Sequence, residues 1–281
     1  MEWNLTSTIM KPTILLLFSI IWIVSAQGQT KPLKASLDTL PILDLPDINQ
    51  SAFGEGEYLR FRLHYGLIDA GEAELSIYKA QKKFAGRDAL HVVGKGRTLG
   101  MFNWFFKVKD RYETYLDEEG IFPWEFIRDI KEGGYEKFQT YRFHQDKAAV
   151  TTNKGDTFKI PPLSQDMLSS FYFARTLDFS QAKPGDVYTI PTFVDDEQYP
   201  LMIKYLGREK LKTRTGTYRC MKFVPVVQEG RIFEEEEDMT VWITDDKNRI
   251  PVLAKAKVLV GSIKMELVEY QNLSNPIAKV D

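Results

Sequence analysis

From residue 58 onward apolar and polar side chains alternate with a period of two, the spacing that gives a half-buried β-strand. Leu59, Phe61, Leu63 and Tyr65 fall on one face, with Tyr58, Arg60, Arg62 and His64 on the other. Residues 72–78 repeat the pattern, Ala73, Leu75 and Ile77 against Glu72, Glu74 and Ser76, and residues 89–96 read as a third strand. Over 107–116, Val108, Tyr112, Thr114 and Leu116 oppose Lys109, Arg111 and Glu113. Strand patterns then cover 123–130, 135–144, 148–152, 187–194, 199–209, 216–227, 236–244, 250–258 and 262–271. Turn chemistry separates them, at Gly66, Gly133-Gly134, Pro184-Gly185, Asp195-Asp196, Gly230 and Asp245 to Asn248. Pro251 follows the last of these and fits a strand only at an edge or a bulge.

One stretch departs from this period. In residues 161–175 (PPLSQDMLSSFYFAR), Pro161 and Pro162 stop the preceding strand. Met167, Leu168, Phe171 and Tyr172 then share a helical face. Ser164 stands at the expected N-cap, Asp166 adds charge to the first turn, and Arg175 suits the last carbonyls. The expected fold is mainly β: a large curved antiparallel sheet or half-open barrel of roughly a dozen strands, with one principal amphipathic helix (about 164–176) packed across it. The expected divisions are a signal peptide over 1–28, an extended leader over 29–52, a single β-rich domain over 53–272 and a C-terminal tail over 273–281. In the leader, Leu40, Ile42, Leu43 and Leu45 are the residues expected to pin it to the domain.

The N-terminus carries an address. Lys11 precedes the apolar run 14–24 (ILLLFSIIWIV), and Ser25-Ala26-Gln27-Gly28 offers cleavage after Ala26 or Gly28. The run is short of the ~20 residues a transmembrane helix needs, so no span is expected in the mature protein. No cysteine follows it, so a lipoprotein is not expected, and the protein is expected in the periplasm after export. The 281 residues are 43% hydrophobic, with a net charge of −2, a balance that disfavours a nucleic-acid partner. The acidic run 234–238 reads as a solvated edge.

Candidate chemistry is sparse. His64, His91 and His144 stand on separate strands without metal-ligand spacing, and no metal or cofactor is expected. The lone Cys220 reads as a small buried side chain. There is no G-x-S-x-G, and Asp195-Asp196 and Asp245-Asp246 read as turn residues. No catalytic residue is assigned. The aromatic density at Phe102 to Phe106 and along the helix is the positive signal. Trp104, Phe105, Phe106, Leu168, Phe171 and Tyr172 are the candidate ligand-binding residues, lining a pocket between helix and sheet or filling the core there.

Several short segments resemble a family as a set. They are Gly56-Glu57-Tyr58-Leu59, Tyr65-Gly66, Ala70-Gly71-Glu72-Ala73, Asp166-Met167-Leu168-Ser169 with Phe171-Tyr172 and Arg175, Trp242 to Asp246, Arg249 to Val252 and Gly261-Ser262-Ile263. With the signal peptide they resemble the exported bacterial family called domain of unknown function 3108. The resemblance spans residues 53–270 and brings no catalytic residues. It implies an architecture similar to the periplasmic lipoprotein-carrier fold (LolA/LolB-like), a half-open antiparallel barrel with helices across its mouth. The expected function is binding of a lipid or other apolar small molecule without catalysis. The alternatives are an envelope scaffold or assembly factor acting on a protein partner, and an enzyme whose site assembles in space.

Overall fold

The computed structural model describes residues 31–226, 239–257 and 261–280. The apolar run 14–24, Gly230 and the acidic run 234–238 lie outside the described residues. The strands are β1 (Tyr58–Tyr65), β2 (Ile68–Lys79), β3 (Ala89–Thr98), β4 (Lys109–Asp117), β5 (Pro123–Glu132), β6 (Tyr135–His144), β7 (Ala149–Thr152) and β8 (Thr157–Lys159). After an intervening helix come β9 (Val187–Val194), β10 (Glu197–Thr213), β11 (Gly216–Pro225), β12 (Met239–Thr244), β13 (Pro251–Lys257), β14 (Ser262–Gln271) and β15 (Lys279–Val280). There are two α-helices among the described residues, α1 (Phe102–Phe105) and α2 (Met167–Ala174).

All these strands form one antiparallel sheet in the order β8-β7-β6-β5-β4-β3-β2-β1-β14-β13-β12-β11-β10-β9, with β15 added to β11. Each half is a meander, and β1 against β14 joins the first half to the last strand of the second. The path has two ends, β8 and β9, and does not close into a barrel. Between those ends runs the segment before α2, where Gln165 forms a parallel bridge to Thr192 of β9. β8 and β15 have three and two residues, too few for a period to register, which is why the alternation reveals fewer strands than the sheet holds.

The alternation places the core. Leu59, Phe61 and Leu63 of β1 are buried, as are Ala73, Leu75 and Ile77 of β2, and they share one hydrophobic cluster with Leu168 and Tyr172 of α2. At the end of β1 burial departs from the alternation: His64 is buried and Tyr65 exposed. The β1–β2 register slips between Leu63 and His64, where Ala70 of β2 is the extra residue; β1 itself stays in register with β14 there, and the slip brings Asp69 over Arg62 and His64, covering the imidazole on the outer face. Pro251 sits at a second bulge, paired with Ile243 just past a register shift. On the outer face Glu72 of β2 is buried beneath Arg60, Arg62 and Arg97, which pair with its carboxylate.

The segments flanking the sheet are tied to it. In the leader, Ile48 N–H donates to Glu119 O at 2.6 Å and Leu45 packs near Phe122 and Trp124, whereas Ile42 is exposed and pins nothing. In the tail, Asn275 N–H donates to Asn248 Oδ1 at 2.9 Å and Ala278 N–H to Asp246 Oδ2 at 2.6 Å.

Candidate functional site

α2 begins later than expected, because its cap is Asp166 and not Ser164. The Ser164 hydroxyl donates to Pro161 O at 2.7 Å and so belongs to the turn before the helix. Asp166 Oδ1 accepts from Leu168 N–H at 2.7 Å and Ser169 N–H at 2.9 Å, and Ser169 Oγ accepts from Asp166 N–H, a reciprocal capping box. Oδ2 accepts from Thr114 Oγ1 of β4 at 2.6 Å, so the cap also fixes the helix to the sheet. Burial pushes this carboxyl up to about 6, against the pull of its donors. Gly94 of β3 leaves the space that Leu168 fills; a Cβ there would lie 3.2 Å from Leu168 Cδ2.

The far end of α2 is held by Arg175, which is 2% exposed. Its guanidinium donates to both oxygens of the buried Glu57, at 2.6 and 2.7 Å, and to Asn248 O and Ala52 O. Four donors are thereby used and the charge is neutralised in place, the condition under which a buried cation is tolerable. Phe53, Phe171 and Tyr172 surround the guanidinium at 5.1 to 5.7 Å from their ring centres. Arg249, half-buried, donates from Nη1 to Arg175 O at 2.7 Å and covers the last turn.

Between α2 and the sheet lies a cavity of about 150 Å³. Met167, Phe171 and Ala174 of the helix form one wall, facing Ile190 of β9, Leu201 of β10, Phe223 of β11, Val241 of β12 and Ala254 of β13. Among the described residues the polar side chains on its wall are Ser170, Arg175 and Arg249, each bonded to a main-chain carbonyl or to Glu57, so these residues present a hydrocarbon surface. Such a surface can sequester apolar groups.

The sequence-derived candidates divide into two places. Phe171 lines the cavity, while Leu168 and Tyr172, both fully buried, pack behind it in the core. Trp104 and Phe105 of α1 are 81% and 67% exposed at an end of the sheet, and Phe106 packs partly into the core beside them. The remaining cavity wall, including Phe179, Phe223 and Val241, was not singled out by the sequence. Alternation tells which side chains face inward and not which of them border a void.

The other candidate groups have local partners. His64 Nδ1 lies 2.8 Å from Asp69, His91 Nε2 2.6 Å from Glu113, and His144 Nε2 3.0 Å from Thr151 Oγ1. Among the described residues no three His, Cys, Asp or Glu side chains are grouped to hold a metal ion. Cys220 is buried, its thiol pushed up to about 12 by that burial. None of the described helices is long and apolar enough to cross a membrane.

Comparison with known proteins gives a family. No curated protein matches the sequence. Among solved structures, the chain is similar to a β-barrel-like protein of domain of unknown function DUF1849 from Brucella abortus, with 9% identity over 81% of this chain and 99% of that one and a TM-score of 0.49. It is also similar to the hypothetical protein CT021 from Chlamydia trachomatis, with 9% identity over 81% of this chain and 93% of that one and a TM-score of 0.35. The family model of a protein of unknown function, DUF3108, matches residues 60–268, nearly the whole sheet, and the chain belongs to that family.

Proposed function

We propose that this protein holds an apolar or amphiphilic, lipid-like small molecule between α2 and the sheet, without catalysis, and works in the cell envelope after export. The observation that carries the reading is the hydrocarbon cavity beside a clamped helix. An apolar cavity of roughly 150 Å³ stays dry and accepts a guest the size of benzene. The space here therefore suits a ring or a few methylenes, with the rest of an amphiphile leaving along the helix. Export is supported by the basic residue, apolar run and small residues of the first 28 positions.

Native mass spectrometry of the mature protein, gently purified from an envelope extract, is the direct test, followed by solvent extraction of any added mass. The expected result is a reproducible adduct, lost on denaturation and recovered as a lipid. Ala254→Leu, which fills the cavity from β13, is expected to lose the adduct while melting at the same or a higher temperature. A wild-type protein that purifies bare and takes up no fatty acid or phospholipid on incubation overturns the reading. So does an adduct retained by Ala254→Leu.

A further inference from the structure

Antiparallel neighbours reverse at alternate ends of a sheet, so the β1–β2 turn, the β3–β4 connection and the β5–β6 turn emerge at the same end. That end is apolar and exposed. Leu67 and Ile68 come from the first turn, Met101, Trp104 and Phe105 from the second, and Tyr135 from the third; Leu67 is 101% exposed and Trp104 81%. The three turns are joined into one surface. The Phe102 ring meets Tyr65 at 6.5 Å, and Leu99 N–H donates to Ala70 O at 3.0 Å. Phe106 packs under the Gly133 turn, whose N–H donates to Lys107 O at 2.9 Å.

Charge decides what this surface fits. Lys107, Lys109 and Lys131 are exposed beside it and have no ion pair among the described residues. Among the described residues, the carboxylates on these turns and the strand ends beside them are Asp69, engaged by Arg62 and His64, the buried Asp110 with Glu132 beside it, the half-buried Asp129, which shares a groove with Lys109 and Lys131, and the exposed Glu136; Asp195 and Asp196, on the β9–β10 turn at the same end, are engaged by Arg128, Lys137 and Lys154. A chain of net charge −2 thus presents unpaired cations where its large apolar side chains protrude. Trp, Tyr and Phe on turn tips, flanked by lysines, match the chemistry of a bilayer interface: rings settle at the headgroup level and ammonium groups meet lipid phosphates. A deformable lipid surface also accepts side chains that come from three separate turns.

We propose that this end of the sheet docks on an anionic lipid bilayer surface, Leu67, Trp104 and Phe105 entering the headgroup region and Lys107 and Lys109 contacting phosphates. Docking needs the turns alone and is independent of what the cavity holds.

Co-sedimentation of the full mature chain with vesicles tests it, using phosphatidylcholine alone and phosphatidylcholine with a minor fraction of phosphatidylglycerol. Binding is expected to the anionic vesicles, and Trp104→Ser/Phe105→Ser is expected to weaken it about tenfold or more. Lys107→Glu/Lys109→Glu is expected to remove the preference for phosphatidylglycerol. The substituted side chains are exposed, so unchanged thermal unfolding is expected and is checked in parallel. A wild-type chain that stays in the supernatant overturns the proposal, as do variants that sediment like wild type. If the wild type is instead a dimer that Trp104→Ser/Phe105→Ser converts to monomer, with neither bound to vesicles, the surface is a contact between copies of the chain and the lipid assignment falls.

Discussion

Asp110 shows how far a residue's chemistry depends on a neighbour that its own sequence context does not reveal. It is the second residue of β4, on the inward face, 3% exposed, and its Oδ1 accepts from Lys131 N–H at 3.1 Å. Burial raises its pKa to about 8, and the Glu132 carboxylate beside it pushes in the same direction. The folded protein therefore keeps a proton on Asp110 that the unfolded chain releases near the ordinary carboxylate value. Between about pH 4 and 8 the native state binds more protons, so this site makes stability fall as pH rises. Asp110→Asn keeps an oxygen for Lys131 N–H and has no proton to lose. Urea unfolding across that range is expected to show a shallower decline for the variant, which gains on wild type up to pH 8. Parallel curves would mean that the carboxyl is ionised throughout. The lone Cys220, by contrast, has an environment that its sequence does announce, an apolar strand that leaves it buried and inert.

At the scale of elements, period two was enough to read most of the sheet, and the departures have physical causes. His64 is buried because a bulge at Ala70 of β2 brings Asp69 over it, with Glu266 of β14 on the other side, and neither neighbour is encoded in β1. The short β8 and β15 carry too few residues to show alternation. For α2 the apolar face was legible but the start was not. Ser164 and Asp166 are both good caps, and Thr114, which is distant in sequence, reinforces Asp166. Asp166→Ala removes the acceptor of two helical N–H groups and the partner of Thr114, and is expected to cost about 1–2 kcal/mol. Asp166→Asn retains an acceptor and is expected to lose only a fraction of that. Chemical denaturation of the two variants separates a capping role from one that needs the charge; equal losses would point to the charge.

The whole molecule depends on how the second meander is held against the first, since no ladder joins β8 to β9 among the described residues. The inward-facing residues were legible in the sequence. The cavity was not, because a void depends on how two halves of a curved sheet meet a helix. Asp195-Asp196 reads as a turn and is one, with positive φ at both residues (54° and 63°). Its carboxylates do more than shape the turn. Asp195 pairs with Arg128 of β5 and Lys137 of β6, and Asp196 accepts from Tyr141 at 3.0 Å and Lys154 at 2.9 Å, so the β9–β10 turn is fastened to the opposite half of the sheet. Two terms then compete in Asp195→Asn/Asp196→Gly. Asn-Gly is the preferred pair for a two-residue turn with both φ positive, worth about 1 kcal/mol in relieved backbone strain. Against it, Arg128, with 6% of its side chain exposed, exchanges a carboxylate for a neutral amide oxygen and Tyr141 loses Asp196 as its acceptor, a loss of about 2–3 kcal/mol for buried donors. The second term is larger, so the variant is expected to be less stable despite its better turn. Hydrogen exchange is expected to accelerate in β9 and β10 while β1 to β5 keep their protection. A stabilised variant, or uniform acceleration, would show that the turn closes its own hairpin and does not fasten the two halves.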